Sequence, residues 1–175
     1  LRAHGLKVGV IGTLGTWIDD DVIPGARTTP ESTDLYALFA RMRDKDVTHV
    51  VMEVSSHGLA LHRVDGVHFD VAVFTNLTQD HLDFHGDMES YFSAKSLLFE
   101  RCSTAIINVS DLEDMDEGAT ITAELLIELR VIRDIRDGVK ILGDGELTKK
   151  MTVQATKVSE SAKSKIEAVG GTVEL

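Results

Sequence analysis

The chain has 175 residues, of which 43% are hydrophobic and 27% charged, as in an ordinary globular protein with one core or two small ones. The net charge of −11 argues against a chain that binds nucleic acid along its whole length. No apolar run reaches the roughly 18 residues that span a bilayer, and the first residues lack the pattern of a signal peptide. Because Cys102 is the only cysteine, disulfides are excluded. We therefore expect a cytoplasmic protein without a membrane partner.

The first part of the chain alternates between short apolar runs and helical patterns. The apolar runs predict strands at residues 7–12, 48–54 and 69–76. Apolar residues at helical spacing after Pro30 predict one helix, and residues 89–101 predict another. The runs lack strict alternation, as strands covered on both faces require. Residues 12–16 and the turn-rich stretch 18–30 predict loops. This order of elements predicts an α/β fold with a mostly parallel sheet and flanking helices.

A second series of elements begins after residue 105. It predicts strands at residues 104–109, 139–142, 151–155 and 172–175. Helices are expected at 122–129 and 159–169, and Gly143-Asp144-Gly145 resembles the turn of a β-hairpin. We therefore predict two domains, residues 1–105 and a small α/β module at 106–175.

Polar side chains follow each of the three strands predicted in the first domain. They are Thr13 and Thr16 after the first strand, Glu53, Ser55, Ser56 and His57 after the second, and Asn76, Asp80, His81 and Asp83 after the third. In an open parallel sheet, ligands bind beyond the carboxyl ends of the strands. This convergence predicts a binding site at that edge.

The densest group of polar residues is the stretch 75–87, which holds two histidines and three aspartates. Imidazole and carboxylate groups suit a divalent cation such as Mg²⁺, although a solvated polar loop is the alternative. Glu53, at the end of an apolar strand, is a second candidate for a metal or ammonium contact, unless it caps a helix or is a surface carboxylate with a paired cation. Ser55, Ser56 and His57 do not form a hydrolase nucleophile elbow, because the G-x-S-x-G pattern is absent.

Two further positions carry chemistry. The Arg27-Thr28-Thr29-Pro30 stretch suits recognition of a carboxylate or phosphate, and a plain helix start is its alternative. Lys95 lies on the predicted helix after the histidine-rich loop. From the residues alone we expect it to be an exposed lysine whose stem packs on the surface.

These pieces, in this order, resemble the central domain of the Mur ligases, and within that family the UDP-N-acetylmuramoyl-tripeptide synthetases. The resemblance rests on VGVIGTLGTWI, ARTTPESTDLYALFARM, THVVMEVSSHG and FTNLTQDHLDFHGDMESYFSAKSLLF. It covers residues 1 to about 103. It implies an ATP- and Mg²⁺-dependent ligase of peptidoglycan synthesis that phosphorylates a peptide carboxylate, which an amine then attacks.

The resemblance also implies roles for individual residues. Lys95 is similar to a catalytic lysine that CO₂ carbamylates, so that it holds a second Mg²⁺. Glu53, His81 and Lys95 are the implied metal ligands. Contacts to UDP-N-acetylmuramoyl-dipeptide are implied for a further set: Thr28, Thr29, Ser55 and Arg63. The family's P-loop for ATP phosphates does not occur in the sequence, and the Gly12–Thr16 stretch lacks its lysine and spacing. We therefore expect no ligase turnover from these residues.

Residues 107–175 resemble a different family, the C-terminal domain of ribosomal large-subunit protein fifteen. The resemblance rests on VKILGDGELTKKMTV and SAKSKIEAVGG. It implies phosphate contacts to ribosomal RNA through Lys140, Lys149, Lys150, Lys157, Lys163 and Lys165. Residues 129–175 carry nine bases against seven acids, whereas the preceding residues are acidic.

Three functions therefore stand as alternatives: a fragment of a Mur-type ligase, a ribosomal RNA-binding module, and a chimeric scaffold with neither activity. The two resemblances meet within residues 104–109, a strand of a kind that both families possess. A gene fusion, a designed or computed chimera and a sequence-assembly artefact are the alternative origins.

Overall fold

The computed structural model describes residues 1–77, 79–113, 115–128, 132 and 137–175. It divides the chain into two compact units, Leu1–Val67 and His68–Leu175. The α/β class and the mostly parallel pairing are confirmed, and helices flank the sheets. In the described part of the chain, no helix combines the length and the apolar character needed to cross a membrane.

The first unit is built on a mixed sheet. Its elements are β1 (Val8–Gly12), β2 (Gly15–Ile18), β3 (Asp21–Ile23), α1 (Ser32–Asp44), β4 (His49–Met52) and α2 (Ser56–Ala60), after a 3-10 turn at Arg2–His4. The strand order is β3-β2-β1-β4, in which β1 and β4 are parallel. The expected loops at 12–16 and 18–30 were wrong in part, because β2 and β3 extend the sheet as antiparallel strands. Gly15 permits the tight return from β1, since its φ of 126° is unfavourable for other residues.

Helix α1 packs on the sheet through the apolar face that its spacing predicted. Leu35 and Met42 are buried, at 0% and 2% exposure. Gly9 of β1 permits the close approach of Met42, since a Cβ at Gly9 would lie 2.5 Å from the Met42 sulfur.

Strands β4 and β5 (Phe69–Val73) do not have the covered faces that their apolar runs predicted. Val50 and Val51 of β4 are 42% and 50% exposed, and Val71 and Val73 of β5 are 47% and 45% exposed. In the described part of the chain each strand lies at the edge of its own sheet, with a strand neighbour on one side. Apolar runs therefore predicted the strands correctly and their burial wrongly.

The second unit contains two parallel sheets. Its elements are β5, α3 (Leu82–His85), α4 (Met88–Ser96), β6 (Cys102–Asn108), β7 (Thr120–Ile121), α5 (Ala123–Glu128), β8 (Gly138–Leu142), β9 (Thr152–Gln154), β10 (Lys157–Val158), α6 (Glu160–Ala168) and β11 (Thr172–Glu174), with 3-10 turns at Leu97–Arg101 and Val109–Leu112. The larger sheet has the order β10-β8-β6-β5 and the smaller one the order β11-β9-β7. Their shared core includes Phe99, Ile107, Val153 and Ile166, all at most 1% exposed.

Strand β6 joins the two segments that resemble different families. It pairs with β5 on one side, where Ala105 lies opposite Ala72, and with β8 on the other, where Ile107 lies opposite Ile141. Segments from both sides of residue 105 therefore build one sheet. The predicted domains, 1–105 and 106–175, divide the chain by the family that each segment resembles, and this division stays a prediction. The boundary between the two compact units of the structure lies instead between residues 67 and 68.

The hairpin predicted at Gly143-Asp144-Gly145 was wrong. Strands β8 and β9 belong to different sheets, and each pairs with parallel neighbours. Gly143 instead permits the chain to pass the start of α6, since a Cβ there would lie 2.5 Å from the Ala162 nitrogen.

The predicted helix starts in the second unit were correct. Ser159 caps α6 by accepting a hydrogen bond from the Ala162 N–H at 3.2 Å. Thr122 accepts one from the Leu125 N–H at 3.1 Å, so α5 begins where expected. Leu129, the predicted end of α5, lies outside the described residues.

Cys102 provides a test of the core around β6. The residue is 5% exposed, and burial raises the pKa of its thiol to about 11. Since an ordinary thiol has a pKa near ~8.5, we expect native Cys102 to react with Ellman's reagent at pH 8 more than about 100-fold more slowly than in the urea-unfolded chain. At pH values between these two pKa values, the Cys102 thiol is deprotonated in the unfolded chain but still protonated in the folded one. Its contribution therefore lowers the free energy of unfolding as pH rises. Equal rates in the native and unfolded chains would contradict the burial.

Candidate functional site

In the first unit, the Glu53 carboxylate lies at the carboxyl ends of β1 and β4. Its Oε2 accepts hydrogen bonds from the Thr13 backbone N–H at 3.0 Å and from the Thr13 hydroxyl at 2.6 Å. The Thr13 hydroxyl also lies 3.0 Å from that of Thr28. A Cβ at Gly12 would lie 2.9 Å from this carboxylate, so the glycine leaves room for it. Glu53 is exposed, yet these donors hold it in one place.

Thr29 connects the Arg27–Pro30 loop to the segment after β4. Its hydroxyl donates to the Glu53 carbonyl at 3.1 Å and accepts from the Ser55 N–H at 2.9 Å. The residue is 0% exposed. Its hydroxyl therefore stabilises the arrangement of the loop, and Thr28 presents the more accessible hydroxyl of the pair.

Ser55 and Arg63 complete this cluster. Ser55 caps α2 by accepting a hydrogen bond from the Gly58 N–H at 3.0 Å. Arg63 donates through Nη1 to the Thr29 carbonyl at 3.4 Å, and its Nη2 lies 3.0 Å from Glu31 Oε1. These contacts, which reach Thr28 through Thr13, bring together Glu53 and the four residues predicted to contact the substrate.

In the second unit, Lys95 is half-buried. Its ammonium donates to the Asn76 carbonyl and lies 4.9 Å from the centroid of the Phe74 ring and 5.4 Å from that of Tyr91. Burial lowers the pKa of Lys95, and the nearby Asp111 carboxylate opposes that shift. A lower pKa increases the fraction of neutral amine, the form that reacts with CO₂.

His81 has a strained backbone. Its φ of 55° and ψ of 22° place it in the left-handed region, directly before α3. This conformation costs roughly 1–2 kcal/mol for a residue other than glycine, and such strain concentrates at functional sites. The ring lies edge-on to Tyr91 at 5.9 Å, and the backbone N–H donates to Asp80 at 2.8 Å.

The predicted metal ligands are divided between the units: Glu53 belongs to the first, and His81 and Lys95 to the second. Among the described residues, no group of three or more histidine, cysteine, aspartate and glutamate side chains is placed to hold a metal ion. Thr78, within the predicted metal loop, lies outside those residues.

Sequence reasoning missed Glu31 and the surroundings of Lys95. Glu31 contacts two arginines of the first unit, Arg27 and Arg63. The available signal was a glutamate at a helix N-cap position, where Ser, Thr, Asp and Asn are preferred. Phe74 gave no comparable signal, because its distance in sequence conceals its approach to Lys95. Tyr91 lies four residues before Lys95 on the same helix, α4, and this helical spacing was the signal that was missed.

The six lysines predicted to bind RNA have different surroundings. Lys149 donates to the carbonyls of Glu113 and Met115 at 2.6 and 3.0 Å, and Lys165 donates to that of Gly145. Lys163 lies 3.9 Å from the Glu167 carboxylate. Lys140 and Lys157 are register partners on adjacent parallel strands, so their side chains share a face of the sheet. Lys150 is exposed.

We expect Lys149→Ala to lower the free energy of unfolding by about 1–2 kcal/mol, because two backbone carbonyls lose a charged donor. The neighbouring Lys150→Ala variant removes the same charge from an exposed position and should change it by less than about 0.5 kcal/mol. Urea unfolding followed by circular dichroism measures both. Equal effects would show that the Lys149 contacts contribute no stability.

Comparison with known families confirms both resemblances. The model described as the Mur ligase middle domain matches residues 1–128. A model for ribosomal proteins of the 50S and 60S subunits, including large-subunit protein fifteen, matches residues 106–174. Residues 106–128 therefore fit both families.

Relatives and a solved structure agree with the first of these matches. The UDP-N-acetylmuramoyl-L-alanyl-D-glutamate–2,6-diaminopimelate ligase of Corynebacterium glutamicum is 64% identical over 106 residues, 61% of this chain and 20% of that enzyme. The ligase of the same name from Caldanaerobacter subterraneus is 58% identical over 112 residues, 63% of this chain and 23% of that enzyme. The chain thus spans about a fifth to a quarter of these relatives. A solved structure of a ligase of this name aligns with a TM-score of 0.62 and 25% identity, over 84% of this chain and 28% of that one. Because the middle-domain model matches well over half of the chain, the chain belongs to the Mur ligase family.

Proposed function

We propose that this chain carries the substrate-binding and metal-binding part of an ATP-dependent ligase that acts on UDP-N-acetylmuramoyl-dipeptide. The observation that carries the proposal is the contact network that links Thr28, Thr29, Ser55, Arg63 and Glu53 at the ends of β1 and β4. The related ligases named above have UDP-N-acetylmuramoyl-L-alanyl-D-glutamate in their names. The 175 residues contain no P-loop pattern, so we propose binding of the substrate without turnover of ATP by this stretch.

In this proposal, each group of the first unit has a defined task. The Arg63 guanidinium and the Thr28 hydroxyl bind an anionic group of the substrate and orient the peptide carboxylate. In the complete reaction ATP phosphorylates that carboxylate, and the amine of the incoming amino acid attacks the acyl phosphate and displaces phosphate. Thr13 holds Glu53 in place by its two hydrogen bonds.

The donor set of the proposed metal ligands fits Mg²⁺ in part. Glu53 supplies carboxylate oxygens, His81 an imidazole nitrogen, and Lys95 would supply oxygens after carbamylation. In that step the neutral Lys95 amine bonds to the carbon of CO₂ and releases one proton, and burial favours the neutral amine. Mg²⁺ would neutralise the charge of the phosphoryl group that is transferred.

Isothermal titration of the chain with UDP-N-acetylmuramoyl-L-alanyl-D-glutamate, with and without Mg²⁺, tests the proposal. We expect Mg²⁺ to tighten binding about tenfold or more, which corresponds to about 1.4 kcal/mol. His81→Ala should abolish this dependence. His4→Ala, which removes an exposed histidine of the 3-10 turn at Arg2–His4, is the matched control and should behave like the wild type. Equal affinity with and without Mg²⁺ in the wild type would refute the role proposed for these metal ligands.

The ribosomal match over residues 106–174 favours a second candidate, binding of ribosomal RNA. Lys140 and Lys157 are the better positions for its test, because Lys149 already donates to two backbone carbonyls. Co-sedimentation with large ribosomal subunits that weakens with salt, and that Lys140→Glu with Lys157→Glu abolishes, would support this function. If the chain unfolds cooperatively and binds neither UDP-N-acetylmuramoyl-L-alanyl-D-glutamate nor ribosomal RNA, the result would support the third alternative, a scaffold with neither activity.

A further inference from the structure

Glu31 occupies the N-cap position of α1 without acting as a cap. Its backbone has the extended conformation of an N-cap, with φ −60° and ψ 151°, but within the described residues its side chain accepts no capping hydrogen bond. A glutamate at this position contributes less to helix stability than Ser, Thr, Asp or Asn. Exceptions to local preference concentrate where function constrains a residue. The contacts of this side chain therefore need another explanation.

The Glu31 carboxylate binds two arginines through one oxygen. Oε1 lies 3.0 Å from Nη2 of Arg63 and 3.3 Å from Nη1 of Arg27. The two cations differ in environment, since the side chain of Arg27 is 52% exposed and that of Arg63 only 12%. A cation as buried as Arg63 needs a nearby countercharge, and Glu31 supplies it. The Arg27 pair is solvent-exposed and contributes little.

The remaining contacts of Arg63 hold its guanidinium in one orientation. Nη1 donates to the Thr29 carbonyl at 3.4 Å, and Thr29 itself is fixed between Glu53 and Ser55. The Nε of Arg63 is buried and has no hydrogen-bond partner among the described residues. Leaving a buried donor unpaired is unfavourable. The fold thus keeps the guanidinium buried although this lowers its own stability. Such unfavourable arrangements concentrate at sites that bind a ligand.

We propose that Glu31 is a positioning residue for substrate binding. It holds the Arg63 guanidinium against the Thr29 carbonyl. An anionic group of UDP-N-acetylmuramoyl-dipeptide (the nucleotide-peptide) then meets guanidinium N–H donors that are already oriented. This role rests on the proposed function, because it requires Arg63 to contact the substrate. Glu31 itself does not touch the substrate, and its effect on affinity passes through Arg63.

The test compares Glu31→Gln with Asp34→Asn, which neutralises another acidic residue in the first turn of the same helix. Titration of the full chain with UDP-N-acetylmuramoyl-L-alanyl-D-glutamate measures affinity, and titration with UDP measures the contribution of the uridine diphosphate part, which lacks the peptide carboxylates. We expect Glu31→Gln to weaken binding about tenfold or more and Asp34→Asn to leave it unchanged. If UDP shows the same loss, the anion is the pyrophosphate; if only the complete nucleotide-peptide shows it, the anion is a carboxylate.

Two further measurements separate positioning from a merely structural role. In ¹⁵N relaxation spectra, the Nε–H of Arg63 should be rigid in the wild type and mobile in Glu31→Gln, while the dispersion of the backbone signals stays unchanged. The variant with both Glu31→Gln and Arg63→Lys should lose no more affinity than Arg63→Lys alone.

A rigid Arg63 signal in Glu31→Gln, or additive losses in the double variant, would overturn the proposal. If the wild type binds no nucleotide, the proposed function fails and with it the substrate role of Arg63. The relaxation measurement would then still show whether Glu31 orients the guanidinium.

Discussion

Replacement of Ile107 by alanine should lower the free energy of unfolding of the second unit by about 2–5 kcal/mol. Ile107 is 0% exposed and lies in β6, opposite Ile141 of β8. Truncation to alanine removes buried methyl and methylene groups from a core to which both sequence segments contribute. Because β6 lies between β5 and β8, the loss should affect both sides of the sheet together.

Urea unfolding measures the total effect, and amide hydrogen exchange locates it. Ile127→Ala is the matched control, since Ile127 belongs to α5 of the same unit and is 39% exposed; a change below about 1 kcal/mol is expected for it. Backbone amides of β5 and β8 should lose protection to the same extent in Ile107→Ala. If the β5 amides exchanged early while those of β8 stayed protected, the two segments would not form one cooperative unit.

Gly58→Ala should destabilise the first unit by about 1–3 kcal/mol and weaken substrate binding. Inside a helix, replacement of glycine by alanine normally raises stability by about 1 kcal/mol. The effect expected at Gly58 has the opposite sign. The reason is the contact with Thr29: a Cβ at Gly58 would lie 2.7 Å from the Thr29 methyl carbon and 2.8 Å from its Cβ. Since Thr29 is fully buried, it can yield only by losing its hydrogen bonds to Glu53 and Ser55.

Gly25→Ala provides the control for this prediction. A Cβ at Gly25 would meet its nearest atom at 3.5 Å, an ordinary van der Waals contact. This variant should keep both its stability, within about 0.5 kcal/mol, and its affinity for the nucleotide-peptide. Thermal unfolding and isothermal titration of the two variants test the pair. A Gly58→Ala variant as stable as the wild type would show that the Thr29 network tolerates displacement.

The candidate residues of the first unit were predictable because they follow the ends of strands. Glu53 and Ser55 come directly after β4, and Thr13 directly after β1, so the parallel pairing of β1 with β4 places them at one edge. Thr29 was also indicated by its hydroxyl within the Arg27–Pro30 stretch, whereas Arg63 came from family resemblance alone. The structure adds that Thr29 is buried and that, among the described residues, the Nε of Arg63 has no hydrogen-bond partner. Periodicity does not describe such contacts, because they depend on loops whose path is determined by packing.

The sequence by itself determined the α/β class, the α1 and α6 helices and most of the strands, because apolar spacing and capping residues act over a few neighbouring positions. Only the tertiary structure decided which strands pair. It added β2 and β3 as antiparallel neighbours of β1, placed β8 and β9 in different sheets, and joined the two segments across β6. It also decided the environment of Lys95, whose neighbours Phe74 and Asp111 lie far from it in sequence, although Tyr91 lies one helical turn before it. The physical reason is that pairing, burial and electrostatic environment are properties of residues distant in sequence, and local preferences do not contain that information.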